Sequence, residues 1–129
     1  MKRQDPKATM AEGMTAKAVI RPAASVLWEE PPEHYGGAYS KMLVRPEATG
    51  SKILDYRISV YQPKAYVKLH RHKIQEQVYH VLDGEGLMEM DGERTVVKKD
   101  DVIFIPPGVR HAPIERSCRS GLNSTFKRR

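Results

Sequence analysis

The chain contains a single cysteine, Cys118, among its 129 residues. A lone thiol cannot form an internal disulfide, which excludes a disulfide-stapled scaffold and favours a reducing, cytoplasmic location. No apolar run approaches the ~20 residues that a membrane-spanning helix needs, and no apolar stretch typical of a signal peptide follows the charged N-terminus. We therefore predict a small cytoplasmic globular domain that does not have a membrane as its partner.

The chain also lacks a stripe of basic residues interleaved with aromatics, although its formal net charge is +6. Residues 115–129 contain five basic side chains and one acidic side chain, so the rest of the chain carries only +2. Such a tail can contact phosphates through counterion release, but charge runs at chain ends are usually solvated. Nucleic acid is therefore not predicted to be the main partner.

Helical heptads and internal repeats are absent, and from residue 38 onward apolar residues recur with a period of two. The pair Asp91–Gly92 is a strong two-residue hairpin signal. The segment 100–111, DDVIFIPPGVRH, is typical of a buried strand closed by a Pro-Pro-Gly turn, and we expect its Val102 and Phe104 to lie in the core. Several short strands separated by Pro and Gly turns predict an all-β sandwich or barrel.

The predicted organisation has four parts. Residues 1–15 are expected to form a disordered arm, and residues 16–37 a strand and loop segment. Residues 38–114 are expected to form the β-barrel, followed by a basic tail over residues 115–129. Because the tail has low β-propensity and no period of two, we expect it to replace the usual last strand and to leave one sheet edge uncovered.

Two histidines one residue apart occur in the segment LHRHKIQEQVYHVLDGEG, residues 69–86. Side chains at positions i and i+2 of a strand point to the same face, so His70 and His72 would project together, roughly 7 Å apart. Two imidazoles at that separation can converge on one ion at metal–nitrogen distances of about 2 Å. His111 follows a tight turn at the end of a strand and is a candidate third ligand. A solvent-facing pair at 70 and 72 is the alternative interpretation.

The segments HRHKIQEQVYHVLDGEG and DDVIFIPPGVRHAPIE resemble the two sequence motifs of the cupin superfamily, in the order and at the separation typical of it. The resemblance covers about residues 54–113 and implies a small, jelly-roll-like, single-domain β-barrel of the cupin 2 type. It also implies a homodimer, a small-molecule substrate or ligand, and a divalent transition metal such as Mn, Fe, Ni or Zn. The matching positions are His70, His72, Pro106, Gly108 and His111.

The resemblance leaves two candidates for a fourth metal ligand. Gln77 has the motif's spacing to Gly84 and resembles the pectin-degradation type of cupin, in which Gln replaces Glu among the ligands. Glu76 is the alternative metal ligand if a β-bulge shifts the register. Adjacent residues of a strand face opposite ways, so only one of the two can enter the barrel.

Three positions depart from the motifs. Lys64 and Asp100 stand where the family pattern has glycine, and Glu115 stands where it has asparagine. The turns at the first two positions must therefore be made without glycine. Two further histidines that match no motif position, His34 and His80, are interpreted as a loop residue and a strand residue without a ligand role.

The choice of the fourth ligand affects the chemistry that the resemblance implies. Three imidazoles and the Gln77 amide are neutral and leave the ion its full charge, which favours isomerase, lyase or related non-redox chemistry on a small oxygenated molecule. A Glu76 ligand would favour a dioxygenase. Tyr79 and Arg57 are the candidate catalytic residues, the first as a hydrogen-bond donor or acid and the second as a holder of a carboxylate. A non-catalytic cupin that binds a sugar or another small ligand is the alternative.

Overall fold

In a computed structural model of the chain, residues 16–115 and 121–128 are described. Helix in this part of the chain is limited to a 3₁₀ turn at Ala23–Ser25 and one short helix, α1, at Pro46–Thr49. The strands are His34–Tyr35 (β1), Ala38–Val44 (β2), Leu54–Tyr61 (β3), Tyr66–Val67 (β4), Glu76–Asp83 (β5), Glu85–Met90 (β6), Glu93–Lys98 (β7), Val102–Ile105 (β8), His111–Glu115 (β9) and Gly121–Arg128 (β10). The predicted all-β fold is confirmed.

The strands form two five-stranded antiparallel sheets. One has the order β1-β4-β9-β6-β7 and the other β2-β3-β10-β5-β8. Side chains between the sheets alternate along each strand, as in β5, where Gln77, Tyr79 and Val81 are buried while Glu76 and His80 are exposed. This alternation directs one set of side chains from each strand into the interior of the barrel.

The larger of the two buried apolar clusters among the described residues is formed by β5, β6 and β8. Tyr79, Met88 and Ile105 are packed there among other buried apolar side chains of β5, β6 and β8. The predicted hairpin is also confirmed, because β6 and β7 pair directly on either side of Asp91 and Gly92. Both turn residues have positive φ angles, 46° and 85°, as a type I′ turn requires.

Strand β8 differs from the sequence-based expectation. Val102 and Phe104 are 64% and 56% exposed, whereas Ile103 and Ile105 are buried. The prediction that the first two lie in the core is therefore wrong. The reason is that successive side chains of a strand point to opposite faces of the sheet, so Ile103 and Ile105 point into the interior and Val102 and Phe104 lie on the outer face.

The chain beyond residue 120 also differs from the expectation. The backbone of residues 121–128 forms β10, which lies between β3 and β5 and pairs with both. The predicted absence of a last barrel strand is thus not found, since two neighbouring strands with open backbone edges supply pairing partners irrespective of side-chain propensity. Residues 1–15, predicted to be a disordered arm, lie outside the described residues.

The other predicted boundaries stay predictions, although β1 precedes residue 38 and already pairs with β4. Within residues 16–115 and 121–128, no helix has both the length and the apolar character that a membrane crossing requires.

Candidate metal centre

Backbone hydrogen bonds bring the two motif segments together. The amide of His111 donates to the carbonyl of His70 at 2.8 Å, and the amide of His70 donates back at 3.1 Å. The amide of Gly108 donates to the carbonyl of His72 at 2.7 Å, so the Pro-Pro-Gly turn is attached to the other end of the His-x-His segment. Gly108 has φ of 87°, a conformation that glycine adopts without strain.

The three imidazoles of His70, His72 and His111 meet as a result. Their candidate ligand atoms all lie within 4.8 Å of one another. The ring centroids of His70 and His111 are 4.3 Å apart, and those of His70 and His72 are 5.0 Å apart. His111 is fully buried. The structure therefore brings together the three histidines that the sequence singled out, and neither His70 nor His72 is fully exposed.

The orientation of two of these rings is held by backbone carbonyls. His70 Nδ1 donates to the carbonyl of Lys68 at 2.7 Å, and His111 Nδ1 donates to that of Val109 at 2.9 Å. A carbonyl oxygen can only accept, so Nδ1 carries the hydrogen and Nε2 keeps the lone pair in a neutral ring. Metal-binding histidines are commonly oriented by such contacts.

Gln77 completes the arrangement. Its Oε1 lies 2.9 Å from His111 Nε2, and its Nε2 donates to Tyr79 Oη at 2.9 Å. When His111 Nδ1 donates to Val109, a neutral His111 presents a lone pair to Oε1, so two lone-pair atoms face each other. Two ligand atoms that each lie about 2.1 Å from one ion are roughly 3 Å apart. The 2.9 Å between Gln77 Oε1 and His111 Nε2 matches that separation, so the residues present fit a metal ion. Glu76 is exposed and lies outside the histidine group.

A cavity of about 30 Å³ is lined by His70 and Gln77 of this group. Among the described residues that line the cavity, Arg57 has the one permanently charged side chain. Its Nε is buried and has no hydrogen-bond partner within the described part of the chain. Burial raises the pKa of the Tyr79 phenol well above its ordinary value, and the nearby Tyr61 adds to this rise. The cavity lining comprises His34, Arg57, Ser59, Tyr61, Val67, His70, Gln77 and Tyr79.

His34 is a cavity residue that the sequence did not reveal. It belongs to β1 and lines the cavity, whereas the sequence analysis assigned it to a loop without a role. No local pattern signals this placement, because it depends on the pairing of β1 with the distant β4. His80 is exposed, in agreement with its interpretation as a strand residue without a ligand role.

Comparisons with known proteins agree with this architecture. Residues 57–119 match the Cupin domain family. An uncharacterized protein of Methanocaldococcus jannaschii is 49% identical over 43 residues, which cover 33% of this chain and 34% of the relative. An oxalate-binding protein of Thermotoga maritima is 30% identical over 70 residues, covering 54% of this chain and 58% of the relative. The matched part of the chain thus spans about a third of the length of the first relative and somewhat over half of the length of the second.

Among solved structures, a predicted oxalate decarboxylase from Thermotoga maritima superimposes with a TM-score of 0.74. The two are 20% identical, and the alignment covers 89% of this chain and 98% of that one. At this identity the likeness concerns the fold. With residues 57–119, which contain both motif segments, matched to the Cupin domain family and the barrel architecture shared, the chain belongs to the cupin superfamily.

Proposed function

We propose that this cupin is a metal-dependent enzyme that carries out non-redox chemistry, an isomerisation or a lyase reaction, on a small oxygenated molecule. The observation that carries the proposal is the convergence of three imidazoles, one of which, that of His111, lies 2.9 Å from the carbonyl oxygen of Gln77. A divalent transition metal such as Mn, Fe, Ni or Zn, when bound by His70, His72, His111 and Gln77, supplies a Lewis acid that polarises a substrate oxygen.

The neutral ligand set supports non-redox chemistry. Gln77 is 3% exposed and points toward His111, whereas the side chain of Glu76 faces solvent. A set without a carboxylate leaves the double charge of the ion uncompensated, which strengthens its pull on a substrate oxygen. The dioxygenase alternative required Glu76 as a ligand, so the geometry favours it less.

Arg57 is the proposed binding residue for the substrate. Its guanidinium lines the cavity and can form paired hydrogen bonds with a carboxylate. The name of the oxalate-binding relative supports a small carboxylate as the ligand class. Tyr79 Oη accepts from Gln77 Nε2, so the tyrosine keeps one O–H that can donate to a ligand in the cavity. In this proposal the two residues contact and orient the substrate beside the metal.

A non-catalytic binding protein is the second candidate. It is supported by the printed name of the Thermotoga maritima relative, which describes binding and no reaction. A small, partly closed cavity with one arginine serves a binding protein as well as an enzyme. The two candidates share the metal centre and differ in whether the bound molecule is converted.

Elemental analysis of the purified protein tests the shared part. We expect about one transition-metal ion per chain in the wild type and a loss of most of it in His72→Ala and His111→Ala. The matched control is His80→Ala, which removes an exposed histidine and should retain the metal. Metal-free wild type, or folded site variants that keep their metal, would contradict the proposal.

A turnover screen separates the enzyme from the binding protein. Uronates, 2-oxo acids, hydroxy acids and oxalate are incubated with metal-loaded wild type and with Arg57→Gln, and products are followed by mass spectrometry. The enzyme proposal expects product from at least one of them, reduced about a hundredfold or more in the variant. Ligand-induced thermal stabilisation without product supports the binding protein instead.

A further inference from the structure

Strand β3 shows the reverse of the usual distribution of polar and apolar side chains. Its polar residues Asp55 and Ser59 are buried. Among the residues that alternate with them, Leu54 is exposed, and Ile58 and Val60 are partly exposed. A sheet with one solvated face normally buries its apolar side chains and turns the polar ones to water. The outer side of β3 is therefore apolar.

The apolar positions continue across the sheet to the outermost strand, β8. Val78 of β5 lies opposite Phe104, and His80 lies opposite Val102. Residue 124 of β10 lies opposite both His80 and Ile58, so the second row extends to β3. Directly opposed residues of antiparallel strands share one face of the sheet. The outer apolar face, as we define it, comprises Ile58, Val60, Val78, Val102 and Phe104.

Few charges lie on this side of the sheet, although the chain as a whole carries +6. Among the described side chains of β2, β3, β5 and β8 that share it, only Lys41 and Glu76 are charged. The ammonium of Lys41 donates to the carbonyl of Ala23 at 3.1 Å and lies 5.0 Å from the ring centre of Trp28. The outer apolar face itself contains no charged side chain.

The outer side of the other sheet is different at β6 and β7. There Glu85 lies opposite Lys98, and Glu89 lies opposite Arg94. The second of these pairs forms an ion pair of 3.3 Å. This part of the other sheet therefore has the charged outer side that water solvates, which the outer apolar face lacks.

The size of the sheet is sufficient for an interface between two proteins. Its five strands of four to eight residues, spaced about 4.8 Å apart with a rise of about 3.4 Å per residue, give roughly 570 Å² of flat area. Two such faces packed together would bury roughly 1,100 Å², which lies near the lower end for specific protein interfaces. Val102 and Phe104, at 64% and 56% exposure, are the most accessible part of this area.

We propose that the outer apolar face is the surface through which two copies of this chain pack sheet against sheet. Homodimer interfaces are more apolar than other interfaces, and a two-fold pair is the commonest assembly of soluble proteins. Because the face lacks charged side chains, two chains of net charge +6 can meet there without bringing like charges together. Residues 1–15 match the face poorly, since five of them are charged. The inference does not depend on the proposed function.

Sedimentation equilibrium of the purified full chain tests the proposal. The wild type should have twice the mass of one chain at micromolar concentration. In Phe104→Lys and in Val102→Lys, the dissociation constant of the dimer should rise about a hundredfold or more, because an ammonium group loses its water in the interface. The matched control is Val96→Lys, which places the same side chain at an exposed position of β7 and should remain a dimer.

Circular dichroism establishes that each variant keeps its strands. A monomeric wild type would overturn the inference, and another segment or a different protein would then have to cover the face. A dimer that survives both β8 substitutions would show that the copies meet elsewhere, which also overturns it.

Hydroxyl-radical labelling of the wild type decides the question if the β8 variants do not fold. Phe104 should be oxidised several times less in concentrated protein than in dilute protein, whereas the exposed Tyr66 of the other sheet should be labelled equally in both. Labelling of Phe104 that does not depend on concentration would contradict the proposed interface.

Discussion

At the scale of single residues, the amide of Gln77 is the most constrained group of the candidate site. Its oxygen lies 2.9 Å from His111 Nε2, and its nitrogen donates to Tyr79 Oη. An amide rotated by half a turn would present its N–H₂ group to the histidines and could not bind a cation. In the proposed metal site, Tyr79 is therefore a positioning residue that keeps the oxygen directed at His111.

Replacement of Tyr79 by phenylalanine tests this role. Without the hydroxyl, Gln77 Nε2 loses its acceptor, and the amide is no longer held in one orientation. We expect the dissociation constant of the metal to rise about tenfold to a hundredfold in Tyr79→Phe, as for other contacts that orient metal ligands. Competition with a fluorescent chelator measures the change.

The control for this variant is Tyr35→Phe, which removes the hydroxyl of an exposed tyrosine and should leave metal affinity unchanged. A thermal unfolding curve accompanies each titration, because an unpaired buried amide also lowers stability by about 1–3 kcal/mol. Wild-type metal affinity in a Tyr79→Phe protein of lowered stability would mean that the hydroxyl only supports packing.

At the scale of elements, the two turns that stand where the cupin motifs have glycine adopt left-handed conformations without it. Lys64, between β3 and β4, has φ of 66°, and Asp100, between β7 and β8, has φ of 73°. These are the two positions at which the sequence departs from the glycines of the cupin motifs. The turns therefore keep the glycine-type backbone and place an L side chain in a conformation that costs about 1–2 kcal/mol. Asp tolerates it better than Lys, because its short side chain can hydrogen-bond locally.

Glycine at position 64 should therefore stabilise the protein. Lys64→Gly relieves the left-handed strain but adds freedom to the unfolded chain, and we expect a net gain of about 0.5–1 kcal/mol. Urea unfolding gives the free energy of unfolding. Lys99→Gly is the matched control, since Lys99 is an exposed turn lysine that has no positive φ angle. The free energy of unfolding should fall in Lys99→Gly. A fall of similar size in Lys64→Gly would contradict the strain argument.

The elements also show which features the sequence could predict. The Asp91–Gly92 hairpin and the inward side of β5 follow from local chemistry, because turn dihedrals and strand alternation depend on neighbours in the chain. The exposure of Phe104 and the cavity position of His34 depend on which distant strands lie alongside. An apolar run of four residues cannot distinguish a strand with two buried faces from a strand with one. Long-range pairing therefore sets the limit of prediction.

At the scale of the whole molecule, the strand order places residues 121–128 at the centre of a sheet. Strand β10 runs antiparallel between β3, which carries Arg57, and β5, which carries Gln77. The two sides of the candidate site are therefore joined through the backbone of residues 121–128. A homodimer and a cytoplasmic location stay predictions.

Deletion of residues 121–129 tests the importance of this arrangement. Without β10, the facing backbone edges of β3 and β5 lose their partners, and unpaired buried amides and carbonyls are costly. We expect the truncated chain to lose its cooperative thermal transition, or to melt more than about 10 °C lower, and to lose its metal. Circular dichroism and elemental analysis measure both.

The control for this truncation is removal of residues 1–15, a longer deletion in a polar segment without periodicity. That variant should keep the melting temperature within a few degrees and bind metal like the full chain. If the chain without residues 121–129 instead melts cooperatively at the wild-type temperature and retains stoichiometric metal, then β3 and β5 do not need β10. The inward positions of Arg57 and Gln77 would then have to be maintained by the pairing of β3 with β2 and of β5 with β8 alone.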